Sequence, residues 1–112
     1  MTARFGLTEA TIGKIRGVFA NFPQVERAVL YGSRAKGNFK NGSDIDLTLY
    51  GGEDLTLKVL YKIMDELDDL LLPYTIDVYI FGLLSDAEVM AHIERVGLPF
   101  YARGEAEPVL AG

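Results

Sequence analysis

Three aspartates fall on stretches whose pattern reads as β-strand. Residues 44–50 alternate, with Ile45, Leu47 and Leu49 to one side and Asp44, Asp46, Thr48 and Tyr50 to the other. Residues 74–81 alternate again, Ile76, Val78 and Ile80 opposing Thr75, Asp77 and Tyr79. Residues two apart on a strand share a face and lie roughly 6.6 Å apart along it. Asp44 and Asp46 can therefore reach around a pair of divalent cations about 3.5–4 Å apart. Asp77 completes the cluster if its strand lies beside the first. Three carboxylates gathered in this way repel one another unless a cation is present. An all-oxygen donor set suits Mg2+ or Mn2+.

A second element lies just upstream. The apolar run Ala28-Val29-Leu30 reads as a buried strand over residues 27–31, and Gly32-Ser33 stops it. Glycine lets the backbone approach an anion closely, and serine adds a hydroxyl and an amide. A helical turn starting there aims free N–H groups at a phosphate. The same loop holds the basic residues Arg34, Lys36 and Lys40, and ten residues separate Ser33 from Asp44. A phosphate cradle followed by a carboxylate pair suits a nucleoside triphosphate held through its phosphates and metals. The plainer readings are that an Asp-x-Asp is merely solvated and that Arg34 and Lys36 are solubility charges. The strand setting, the Gly-Ser loop and Asp77 together favour chemistry. Acidic residues 65–69 read as a solvated helix face, His92 as the edge of a core stripe, and Tyr50, Tyr61, Tyr74 and Tyr79 as packing aromatics.

Composition excludes several alternatives. The chain has 112 residues, the size of one domain, with 49% hydrophobic and 24% charged residues. With no cysteine and one histidine, disulfide frameworks, thiolate zinc sites and cysteine nucleophiles are excluded. A net charge of −5 argues against direct nucleic-acid binding. No apolar run approaches the roughly 20 residues of a membrane span, and no secretory signal opens the chain, so a cytoplasmic setting is expected.

The positioning elements follow from periodicity. Ile12, Ile15, Phe19 and Phe22 make a helix stripe over 8–22, with Thr8 as cap and Pro23 as stop. Leu60, Ile63, Met64, Leu67, Leu70 and Leu71 mark the strongest helix, over 55–71. Ser85-Asp86-Ala87-Glu88 reads as a capping box opening a helix that runs to residue 96, and residues 98–102 as a last short strand. The expected fold is α+β: a mixed β-sheet with helices packed mainly on one face, the strands on either side of the glycine loop antiparallel. Residues 1–103 form a single domain and 104–112 a flexible tail.

Gly32-Ser33, ten residues, then Asp44-Ile45-Asp46 resembles the signature of the polymerase-β-like nucleotidyltransferase superfamily. Residues 31–47 as a whole are similar to its minimal nucleotidyltransferase branch, the MntA-like antitoxins, and residues 75–79 resemble the strand carrying that family's third carboxylate. The resemblance implies a two-layer nucleotidyltransferase core in which Asp44, Asp46 and Asp77 bind two Mg2+ ions. Asp77 also helps activate the acceptor, and Gly32 and Ser33 hold the triphosphate. It implies attack of a hydroxyl on the α-phosphorus, usually of ATP, with pyrophosphate leaving. Larger relatives carry an added domain for the acceptor, for which this chain has almost no room. Minimal members typically accompany a small HEPN-domain toxin, and some silence it by adenylylating a tyrosine. Two other readings stand beside this one. The first is a nucleotide-binding antitoxin that works by masking its partner. The second is a small-molecule nucleotidyltransferase whose acceptor site is completed by a homo-oligomer or another chain.

Overall fold

Apolar alternation and its stop signals build the sheet, and the computed structural model describes residues 3–104. A short hairpin of β1 (Ala3–Arg4) and β2 (Leu7–Thr8) opens the chain. Then come α1 (Glu9–Ala20), β3 (Val25–Tyr31), the single turn α2 (Ser33–Lys36) and β4 (Ile45–Gly51). α3 (Leu57–Asp68), β5 (Ile76–Ile80), a 3-10 turn (Phe81–Leu83), α4 (Ala87–Val96) and β6 (Leu98–Ala102) complete it. The four long strands lie in the order β5-β4-β3-β6. β3 is antiparallel to β4 and β6, whereas β4 and β5 are parallel, which makes the sheet mixed as expected.

One face carries the main core. Ala28, Leu30, Leu47, Leu49, Val78, Ile80 and Phe100 pack against Ile12, Ile15 and Phe19 of α1 and Leu60, Ile63 and Leu67 of α3. The opposite face of β3 is partly covered by α4, where Val29 and Tyr31 meet Ile93, flanked by Tyr50, Phe81 and Val89. Two of the three long helices thus share a face, and the third crosses the other. Among the described residues no helix is long and apolar enough to cross a membrane.

Most helix ends follow their caps. The Thr8 hydroxyl accepts from the Thr11 N–H at 3.1 Å, and Thr56 caps α3 in the same way. The capping box expected at Ser85 is not the one used. Asp86 is the N-cap, its carboxylate accepting from the N–H groups of Glu88 at 2.9 Å and Val89 at 3.3 Å. A charged acceptor at the positive end of the helix dipole outbids a serine one position earlier. Two members of the expected α3 stripe also lie outside the core, Met64 at 37% exposed and Leu71 at 88%. Leu60, Ile63 and Leu67 already fill the contact with the sheet. Leu71 falls beyond the Asp69 C-cap, at a left-handed φ of 55°. The β1–β2 hairpin had no signal in the sequence strong enough to read. Of the expected tail, residues 105–112 lie outside the described residues.

Arg103 ties the last strand to the first long helix. Its guanidinium donates to Val25 O at 3.1 Å, to the Phe19 and Ala20 carbonyls at the end of α1, and to Phe22 O just beyond it. A cation is favoured there by the helix dipole and leaves those carbonyls satisfied. Arg103→Ala is expected to lower the unfolding free energy by about 1–2 kcal/mol, read from the urea midpoint at unchanged slope.

Candidate active site

The strand register brings the expected aspartates together. Asp46 on β4 is directly opposite Asp77 on parallel β5, and directly opposite Tyr31 on antiparallel β3. Neighbouring strands are about 4.8 Å apart, so Tyr31, Asp46 and Asp77 form a short row across the sheet. The row lies on the face away from α1 and α3, because Ile45 and Leu47 on either side of Asp46 point into the main core. Asp44 precedes the first residue of β4 and is exposed, two positions from half-buried Asp46.

Gly32 sits against this row. Its φ is 78°, a left-handed value open to glycine and strained for other residues. A Cβ placed on it would run into Asp46 Oδ2. Both constraints exclude a side chain, so the backbone passes directly over the Asp46 carboxylate before turning into α2. The N–H groups of Ser33, Arg34 and Ala35 open that turn and have no carbonyl four residues back to bond within it. The lysine at its end, Lys36, is exposed.

Arg34 is placed differently from the expectation of phosphate contact. It is 3% exposed. Its guanidinium donates to Phe5 O at 2.8 Å and twice to Ser43 O, at 2.9 and 3.2 Å, and it lies over the rings of Phe39 and Tyr74. Every nitrogen that could reach an anion is already spent on a carbonyl, so Arg34 is a structural tie. It clamps the two ends of the glycine loop to the N-terminal hairpin.

The electrostatics record crowding. The Asp46 carboxyl is pushed above the usual range, first by burial and then by Asp77 and Asp44, with His92 acting in the opposite direction. Burial also drives the Tyr31 hydroxyl strongly upward, reinforced by Asp46, Tyr79 and Asp77. Tyr31, Tyr79 and His92 therefore belong to the surroundings of the aspartates, and the sequence reading took none of them as site residues. Tyr79 was legible, since it shares the polar side of β5 with Asp77. His92 was not. It arrives from α4, its ring edge-on to Tyr31 at 6.3 Å, through packing that no local pattern announces.

Among the described residues, no three carboxylate or imidazole side chains are already drawn into a metal cage. The donor set nevertheless fits a hard divalent cation. It is all oxygen, and a cation would offset both the burial that chiefly raises Asp46 and the repulsion from Asp77 and Asp44 that adds to it.

A four-stranded mixed sheet backed by two helices, with a glycine turn meeting its central strand, is a nucleotidyltransferase fold. The polymerase beta, nucleotidyltransferase family model matches residues 13–106, and the chain belongs to that family. Solved structures share the fold at low identity. A toxin–antitoxin structure with AMP-PNP is 20% identical with a TM-score of 0.66, over 88% of this chain and 76% of that one. The MntA–HepT toxin–antitoxin is 17% identical with a TM-score of 0.63, over 85% and 73%. A chain from the structure of the tri-AMPylated Shewanella oneidensis HEPN toxin in complex with MNT antitoxin is 17% identical with a TM-score of 0.63, over 84% and 71%. No curated protein matches the chain by sequence.

Two outcomes follow for stability. Because the folded-state pKa of Asp46 is raised, its ionisation opposes folding, and stability falls as pH rises through that pKa. Asp46→Asn is expected to raise the melting temperature at pH 7 without divalent cations. Arg34→Ala leaves the Phe5 and Ser43 carbonyls unpaired and should lower the unfolding free energy by about 2–3 kcal/mol, whereas Lys36→Ala should leave it unchanged.

Proposed function

We propose that the chain transfers a nucleotide, AMP from ATP, to a hydroxyl on a protein partner. The proposed acceptor is a tyrosine of a co-encoded HEPN-domain toxin, for which this chain would serve as antitoxin. The observation that carries the reading is the register of Asp46 with Asp77 beneath the Gly32 turn, with Asp44 two positions away. The family supports nucleotidyl transfer. The AMPylated state of the Shewanella oneidensis toxin in its complex supports the choice of nucleotide and acceptor.

The roles follow from the chemistry. Asp44, Asp46 and Asp77 would hold two Mg2+ ions, or Mn2+, which neutralise charge on the phosphoryl oxygens. Ser33 and the open N–H groups beside Gly32 receive phosphate oxygens, and Lys36 lies one turn further along the same strand-to-helix corner. The acceptor oxygen attacks the α-phosphorus. The bond from that phosphorus to the oxygen bridging to the β-phosphate breaks, and pyrophosphate leaves with the electron pair. The acceptor proton passes to the Asp77 carboxylate, the member of the set on the outermost strand of the sheet. An edge position lets a large acceptor approach from outside the sheet.

The test is label transfer from α-labelled ATP with Mg2+, using the chain alone and with its co-encoded partner. Label is expected on the partner, to vanish with EDTA, and to fall more than about a hundredfold with Asp44→Asn plus Asp46→Asn. Unlabelled partner that is still bound and neutralised would overturn the transfer reading in favour of masking. Gly32→Ala should reduce transfer to a similar degree in a chain that remains folded, since it displaces the Asp46 carboxylate.

A further inference from the structure

Helix α3 carries a second apolar stripe that the rest of the described chain leaves bare. Leu57, Tyr61 and Met64 are 50%, 58% and 37% exposed, at spacings of four and three residues. At 100° per residue they lie about a quarter turn around the helix from Leu60, Ile63 and Leu67, which face the core.

The charges along one border of this stripe are arranged unfavourably for a single chain. Lys58 and Lys62 are followed by Asp65 and Asp69, and all four fall within one narrow sector of the helix surface. Lys58–Lys62 and Asp65–Asp69 are like-charge pairs four apart, which destabilise a helix. The lysines sit toward the positive end of the helix dipole and the aspartates at its negative end, the reverse of the stabilising order. Lys62 has Asp65 and Glu66 three and four residues on as opposite-charge neighbours, but these spacings leave Lys58 and Asp69 unmatched. The ion pair found among the described residues is Arg4–Glu9, far from α3 in sequence, and none of these four residues takes part in one.

An identical helix laid antiparallel supplies each of these charges with an opposite one across the seam. A two-fold axis near Met64 sets the charged border of one copy against the same border of the other, running the opposite way. Lys58 and Lys62 then lie opposite Asp69 and Asp65 of the second copy. Tyr61 and Met64 of the two copies meet at the centre, and the helix dipoles oppose. We infer that α3 is a self-complementary docking face for a second copy of this chain. One two-helix seam buries less than the roughly 1,600 Å2 of a standard interface, so a weak, reversible dimer is expected. It leaves the aspartate row open, because α3 packs on the other face of the sheet. The inference therefore stands apart from the proposed reaction.

Sedimentation velocity of the full chain, from about 5 to 500 µM at low salt, tests it, a range that covers weak association. A reversible monomer–dimer equilibrium is expected, weakened as salt rises. Lys58→Glu plus Lys62→Glu should abolish the dimer, and so should Asp65→Lys plus Asp69→Lys. The fourfold exchange restores complementarity and should restore dimerisation, with circular dichroism and thermal melting confirming that each variant is folded. A chain monomeric throughout, a dimer indifferent to the double reversals, or a fourfold exchange that stays monomeric would each overturn the proposal. Tyr61→Glu that releases a co-encoded partner from an otherwise monomeric chain would assign the face to that partner instead.

Discussion

The contact between the Gly32 backbone and the Asp46 carboxylate is the constraint on which the candidate site depends. It joins the end of β3 to the beginning of β4 at a distance that admits no side chain. It also sets the direction in which the chain leaves the sheet to form α2. The antiparallel pairing of β3 with β4 places Tyr31 opposite Asp46, and the parallel pairing of β4 with β5 places Asp77 on the other side. A one-residue slip in either ladder would turn an aspartate into the apolar core and a core leucine out of it. Burial of Leu47, Leu49, Val78 and Ile80 therefore fixes the register, and the same register aligns the acidic row. Core packing and site geometry are two readings of one alternation.

Much of this was legible because period-2 patterning carries burial and polarity together. Ile45, Leu47 and Leu49 against Asp44 and Asp46 gave both the strand and its exposed chemistry, and β5 repeated the signal with Asp77. The Gly-Ser stop between two strands gave the turn. Arg34 was read as a loop cation because nothing in the local sequence says that its partners are the carbonyls of Phe5 and Ser43. Those partners exist only after the N-terminal hairpin folds back onto the loop. His92 was read only as the edge of a core stripe for the same reason, since α4 meets β3 through tertiary contact alone. The misplaced cap at Ser85 and the excess reach of the α3 stripe are errors of one residue or one turn. Neighbouring acceptors or leucines compete at such positions, and only packing decides between them.

The loop between β3 and β4 shows how a polar, glycine-rich segment is held in place. Arg34 spends its donors on backbone oxygens at both ends of the structure it clamps, and two aromatic rings cover its guanidinium plane. An arginine used in this way acts as a planar crosslink, and a lysine with one point charge could not replace it. Residues around Asp44 thus owe their position to a buried cation held by backbone carbonyls.

The pairing of β6 with β3 gives the fold a direction in time. Strand β3 is central in the finished sheet, yet the partner on one of its edges is the last strand of the described chain to be synthesised. Until residue 102 has emerged, a strand containing Ala28, Val29 and Leu30 keeps a row of unpaired N–H and C=O groups open to solvent. Such an edge is a template for pairing with another chain. The turn and all three aspartates precede that point in the sequence. In the finished sheet, β6 covers that edge of β3, on the side away from the acidic row.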